Sequence, residues 1–324
     1  MTPLRYLSAA AVDGCLPPVD ELIDLAEGAL VALTEGDAEM PAKIGVHPRP
    51  GALLHAIPAW LHSHDLVGPK WVAAFPDNKR RGLPAISGLV VLNDPDTGLP
   101  TWLLDAARIT AVRTAAVSGV AIRLLAASAR RVALLGAGVQ ARSHLEVLGT
   151  LLPGASVALH DRHPDRASAL AREVNAGPGG EWVTVAGTSG EAVAGAEVVI
   201  TVATLGAQAK RLGPQDVDAG ALVVTVDFAT YVGPELAQSA RPFAVDDREQ
   251  FLHYRELGYF DGYPEPATTL GDLARHSPAH ASAATDRGRP ALVTHLGVGL
   301  ADVVFADAIC RRAAEIGAGT ELER

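Results

Sequence analysis

The chain has 324 residues, of which 48% are apolar, 20% charged and 5% aromatic, enough for two domains and a sizeable core. A net charge of −10 argues against nucleic-acid or membrane-surface partners, and no apolar run of about 18 residues is present to span a bilayer. Two cysteines, Cys15 and Cys310, make neither a disulfide framework nor a metal spacing, so no metal is expected, and a reducing, cytoplasmic setting is.

Near the N-terminus a short apolar run is broken by Asp13, and Ser8 reads as a helix N-cap, not as part of a signal peptide. Residues 19–35 carry helical spacing at Leu22, Leu25, Leu30 and Leu33. From about 42 to 104, short strand-like runs ("AKIGV", "ALLHAI", "KWVAAF", "LPAISGLVVL", "PTWLL") alternate with the turn clusters "HPRPG", "PDNKRRG" and "NDPDTG", which predicts an antiparallel meander. Residues 105–128 predict a long helix. Asp105 caps it, Ile109, Val112, Ala116, Val120 and Leu124 form one apolar stripe, and Arg113 and Thr114 lie beside that stripe. From 131 onward, apolar strands at 132–135, 156–160, 182–185, 198–202, 221–226, 243–245 and 291–296 alternate with helical segments. That is the pattern of a doubly wound α/β parallel sheet covered on both faces. Residues 299–319 read as a closing helix and 276–289 as an exposed loop.

The first of these strands runs into Gly136-x-Gly138-x-x-Ala141 at a helix start. Gly136 permits the tight turn, Gly138 admits a pyrophosphate to the backbone, and Ala141 lets the helix pack close. Free N–H groups at Val139 and Gln140 would face the phosphates. The next strand ends in Asp161, twenty residues beyond Ala141, where an acid meets the ribose hydroxyls of a dinucleotide. A carboxylate there favours NAD(H); Arg162 and His163, which follow at once, leave NADP(H) open. Thr201, Ala203 and Thr204 end a later strand at the same edge and would border the nicotinamide ribose.

Lys70 heads the apolar Val72/Ala74 face of the "GPKWVAAF" strand. Desolvating a lysine is costly unless it is paired or neutral, so it is solvated at the strand end, salt-bridged, or facing a substrate. The stretches "GPKWVAAFPDNKRRGLP", "NDPDTGLPTWLLDAARITAVRTAAVSGVA", "VALLGAGVQARSHLEVL" and "LGVGLADVVFADA" together resemble the ornithine cyclodeaminase/μ-crystallin family over almost the whole chain. Members are mostly NAD(P)-dependent enzymes of amino acids or cyclic imines. The resemblance implies a discontinuous substrate-binding and dimerisation domain of α+β type with antiparallel strands (1–117 and 300–324), a Rossmann domain (118–299) and a homodimer.

Carried over by that resemblance, Arg113 would clamp a substrate carboxylate, as a guanidinium fork can; an interhelix salt bridge is the structural alternative. Lys43 would be the second carboxylate partner, with a point charge where relatives often have arginine. Lys70 would face the nicotinamide across a cleft and manage the proton of the substrate nitrogen, its pKa drawn toward neutrality. Leu296 and the glycines after it end the last strand where the family contacts the carboxamide. One departure concerns the catalytic aspartate of cyclodeaminases. In "VTVDFATYVGPEL" its position is Ala229, and Asp227 lies two residues earlier, either reaching the cleft as a second catalytic group or capping the loop. The family threonine is Ala85 here. Simple redox at a carbon–nitrogen bond, on an amino acid or imine bearing a carboxylate, demands less and is the expected reaction. A cyclodeaminase-type ammonia-lyase with recycled NAD and a non-catalytic binding protein are the competing readings. His295 is either a substrate contact or, as the commoner fate, a packed strand-end residue; His62, His64 and Asp65 have the look of a metal cluster but, at an exposed strand end, read as surface; the aromatics of 253–263 read as a lid or a packing patch.

Overall fold

The computed structural model describes residues 3–204, 211–276 and 288–323; the expected loop at 276–289 falls mostly outside them. The chain divides into two compact units, Met1–Arg113 with Val298–Arg324, and Thr114–Gly297.

The first unit is built on a mostly antiparallel sheet of β1 (Leu4–Leu7), β2 (Ala38–Glu39), β3 (Ile44–Val46), β4 (Leu53–Leu61), β5 (Leu66–Ala74), β6 (Ile86–Asn93) and β7 (Pro100–Asp105). β3 to β7 follow one another as antiparallel neighbours, as the spacing of apolar runs and turns predicts. Two pairings have no local signal in the sequence. β1 joins β7 in parallel, and the C-terminal strand Thr320–Leu322 adds to β1 antiparallel. The closing helix accordingly runs Gly299–Glu315 and not to 319, because Gly317 and Gly319 take the left-handed conformation (φ +66° and +106°) that turns the chain back to the sheet.

Alternation along these strands separates two faces. Leu7, Leu104, Val90, Lys70 and Ile57 stand in one cross-strand row, all buried. The opposite face carries Ile44, Ala56, Trp71 and Leu89 in a row, with Ile44 and Trp71 exposed. The Gly299–Glu315 helix packs over β4, β5 and β6. A Cβ at Gly299 would stand 2.6 Å from Ile57 Cγ2, so only glycine lets the helix start lie this close.

Ser8 caps the first short helix, accepting from Ala11 N, and Val19–Glu35 is helical as predicted. The helix Ala106–Leu125 starts where Asp105 Oδ1 accepts from Ala107 N at 2.9 Å. It is buried on nearly every side from Ala111 to Leu124 and not along one stripe; its alanines, Ser118 and Gly119 allow neighbours to close in all round.

The second unit is an all-parallel sheet of β8 (Arg131–Leu135), β9 (Ser156–His160), β10 (Val183–Val185), β11 (Val198–Thr201), β12 (Leu222–Thr225), β13 (Phe243–Val245), β14 (Thr268–Thr269) and β15 (Ala291–Thr294), in the order β10-β9-β8-β11-β12-β15-β13-β14. The strand order reverses between β8 and β11, the topological switch point at which doubly wound sheets bind ligands. Among the described residues, no helix is long and apolar enough to cross a membrane.

Candidate active site

In the first unit, β5 carries Lys70 into the buried row, 1% exposed. Its Nζ lies 2.6 Å from Asp302 Oδ2 and 3.5 Å from Thr110 Oγ1. Arg113, one turn beyond Thr110, donates from Nε to Asp302 Oδ1 at 3.0 Å and is 5% exposed. Asp302 is fully buried in the first turn of the closing helix, and one carboxylate thus holds two cations. Both structural alternatives of the sequence reading, a salt bridge for Lys70 and an interhelix one for Arg113, are therefore present at once. Burial draws the Lys70 ammonium down to about 7, with Arg113 adding to the shift and Asp302 opposing it. Lys43, half-buried beside β3, acts on Lys70 and His55 through its charge. The ring of His55, beside His47 at 6.4 Å between centroids, is pushed down to about 4 by burial and then by Lys43, His47 and Lys70. The charges that act on His55 are those of the basic groups Lys43, His47 and Lys70.

In the second unit, Gly136 follows β8 with φ +121°, and a Cβ there would stand 2.9 Å from the Val202 carbonyl oxygen. The chain after β11 is thus pressed against the turn after β8. Gly138 begins the helix Val139–Leu151 with an extended backbone, and among the described residues no heavy atom lies within 4 Å of where its Cβ would be. Among the described residues nothing demands glycine there, and a bare backbone is what the close approach of a pyrophosphate requires. That helix has no side-chain N-cap, Val139 is 70% exposed, and Ala141 is fully buried. Among the described residues the buried Gln140 Oε1 has no hydrogen-bond donor. Asp161 accepts from Ala137 N and His163 N, both at 2.8 Å, which ties the acid to the glycine turn and leaves its oxygens further acceptor capacity. Arg162 is exposed. The open glycine, free helix start and neighbouring acid fit a dinucleotide.

Thr201 Oγ1 donates to Asp227 Oδ1 at 2.7 Å and Ala203 N to Oδ2 at 3.1 Å. Burial lifts the Asp227 carboxyl to about 7 against these bonds, and its carbonyl accepts from Thr230. Of the two alternatives for Asp227, this geometry favours holding the loop. Thr204 is exposed at the same edge. Ala229 packs at the edge of the core. Leu296 N and Gly297 N donate to Asp246 Oδ2 at 2.9 and 2.6 Å. The aromatics of 253–263 are packing: Tyr254, Phe260 and Tyr263 are buried, and Phe228 stacks on Phe260 at 5.5 Å. His62 and His64 form one exposed turn, and no group of three or more potential metal ligands occurs among the described residues.

Sequence reasoning misses Asp302, Asp246, His55, Ser118 and His144, whereas His295 is packed just beyond its strand, as expected. For Asp302 the signal is an acid set among Leu300, Ala301, Val303 and Val304 in a helix whose other first-turn residues are apolar, a position tolerable only opposite a cation. For Asp246 no local signal exists, because the Leu296 and Gly297 N–H groups it gathers lie 50 and 51 residues away.

Residues 7–283 match the profile of the ornithine cyclodeaminase/mu-crystallin family. The nodulation efficiency protein NfeD of Rhizobium meliloti is 34% identical over 324 residues, 99% of this chain and 98% of that protein. Delta(1)-pyrroline-2-carboxylate reductase 1 of Burkholderia multivorans is 32% identical over 203 residues, 62% of this chain and 63% of its own length. The structure of Thermococcus litoralis Delta(1)-pyrroline-2-carboxylate reductase in complex with NADH and L-proline shares the fold, with a TM-score of 0.85 at 24% identity, covering 98% of this chain and 100% of that one. The chain belongs to the ornithine cyclodeaminase/mu-crystallin family.

Proposed function

We propose that this protein is an NAD(H)-dependent oxidoreductase acting at the carbon–nitrogen bond of an amino acid or of an imine that bears a carboxylate. The observation that carries the reading is the buried Lys70–Asp302–Arg113 set. Burying two cations on one acid is a poor way to stabilise a fold and a good way to receive an anion beside a proton donor. The relatives named as pyrroline-2-carboxylate reductases and the ketimine reductase mu-crystallin of Mus musculus support the same chemistry. Asp161 supports NAD(H) over NADP(H), since a carboxylate repels a 2′-phosphate.

Arg113 and Lys43 hold the substrate carboxylate and so fix the α-carbon. Asp302 orients both Arg113 and Lys70. When bound, NADH supplies the reducing equivalent. Lys70, titrating near 7, delivers a proton to the substrate nitrogen in the reductive direction and receives one in the oxidative direction. Asp227 acts by holding Thr201 and the Ala203 backbone in place. Cys15 and Cys310, both buried and free, suit a reducing cytoplasm.

The apolar sheet face on which, among the described residues, Ile44, Val46, Trp60 and Trp71 are exposed supports a homodimer formed through the first unit. The test of function is NADH consumption with a panel of cyclic imino acids, and of 2-oxo acids with ammonia or methylamine. Turnover on the imines is expected. Release of ammonia from a diamino acid without net NADH change would mean a cyclodeaminase instead.

A further inference from the structure

Inside the second unit lies a polar chain with no part in the scheme above. Ser118 is fully buried, and His144 and His295 are each 1% exposed. Ser118 Oγ lies 2.8 Å from His144 Nε2 and 2.9 Å from His295 Nε2, and His144 Nδ1 lies 2.7 Å from the Gln140 carbonyl oxygen. The polarity follows from that carbonyl, which can only accept. His144 therefore carries its proton on Nδ1. Burial holds its pKa down at about 4, so the ring is neutral and Nε2 is an acceptor. Ser118 has one proton and donates it to His144. Its remaining role is to accept, so His295 donates from Nε2. One backbone carbonyl thus sets three hydrogen bonds in series.

The two ends of the chain are informative. Gln140 sits in the first turn of the helix that starts at the Gly136–Gly138 turn. His295 directly precedes Leu296 and Gly297, whose N–H groups are gathered by buried Asp246. An apolar trio would fill the same volume without the cost of burying two imidazoles and a hydroxyl. We propose that Ser118, His144 and His295 are positioning residues, a latch that fixes the glycine-turn helix and the strand end 295–297 relative to each other, so that cofactor affinity depends on groups that do not touch the cofactor. This rests on the dinucleotide reading above.

The test measures NADH binding by fluorescence at pH 7.5, together with thermal melting, for the wild type, Ser118→Ala and Ser118→Thr. Ser118→Ala is expected to weaken NADH roughly ten-fold, the scale of one lost buried hydrogen bond, and Ser118→Thr, which keeps the hydroxyl, to recover most of it even if its melting point falls. Long-range nitrogen-15 spectra of the wild type are expected to show the His144 ring neutral with its proton on Nδ1, and a proton on Nε2 of His295. Wild-type affinity retained in Ser118→Ala, or an Nδ1–H tautomer at His295, would overturn the latch alone. A wild-type chain that binds no NADH would overturn the dinucleotide reading and the latch with it.

Discussion

Lys70 is the one polar member of a cross-strand row of five buried residues, and the balance of charge around it decides its protonation. Burial and Arg113 push its pKa down, while Asp302 pulls it up. With Lys70 in the proposed role, the ammonium is the active form in the reductive direction, so kcat/KM should fall as pH rises through about 7, and the oxidative rate should rise over the same range. Asp302→Asn removes the opposing charge. Its reductive profile should therefore move to lower pH, by roughly a unit or more. The same change leaves two cations buried without their acid, at a cost of about 3–5 kcal/mol in unfolding free energy. An unshifted profile in a folded Asp302→Asn would separate Lys70 from the titration. Lys70 and Arg113 are legible in the sequence because a cation in an apolar pattern demands an explanation. Their shared partner is not, since Asp302 is 189 residues from Arg113 and only the fold brings them together.

Among the elements, the glycine turn after β8 separates structural from ligand demands. Gly136→Ala puts a side chain where φ is +121° and the Val202 carbonyl is 2.9 Å away, so it should cost about 1–3 kcal/mol of stability. Gly138→Ala meets no atom of the described residues within 4 Å and needs no left-handed backbone. Its denaturation midpoint should match the wild type while NADH binding weakens by roughly ten-fold or more. Loss of stability in Gly138→Ala with binding intact would contradict the assignment. This element was readable from strand, glycines, helix and acid in order, because each signal is local. The positions where sequence reasoning fell short are those set by distant pairing: β1 beside β7, the strand Thr320–Leu322, and the all-round burial of Ala106–Leu125.

For the whole molecule, alternation along β3 to β6 makes one face of the first sheet apolar, with Ile44, Val46, Trp60 and Trp71 exposed on it among the described residues. The wild type should run as a dimer in light scattering, and Trp71→Glu, which places a charge in the middle of that face, should yield a monomer; an unchanged dimer would put the interface elsewhere. The larger claim is that the cations of the first unit serve the substrate and the glycine turn of the second serves the dinucleotide. Arg113→Ala tests it most directly, with steady-state imine reduction and NADH binding measured on the same preparation. The expected result is a kcat/KM at least about a hundred-fold lower beside an unchanged NADH dissociation constant. Equal catalytic efficiency in the two proteins would contradict the account.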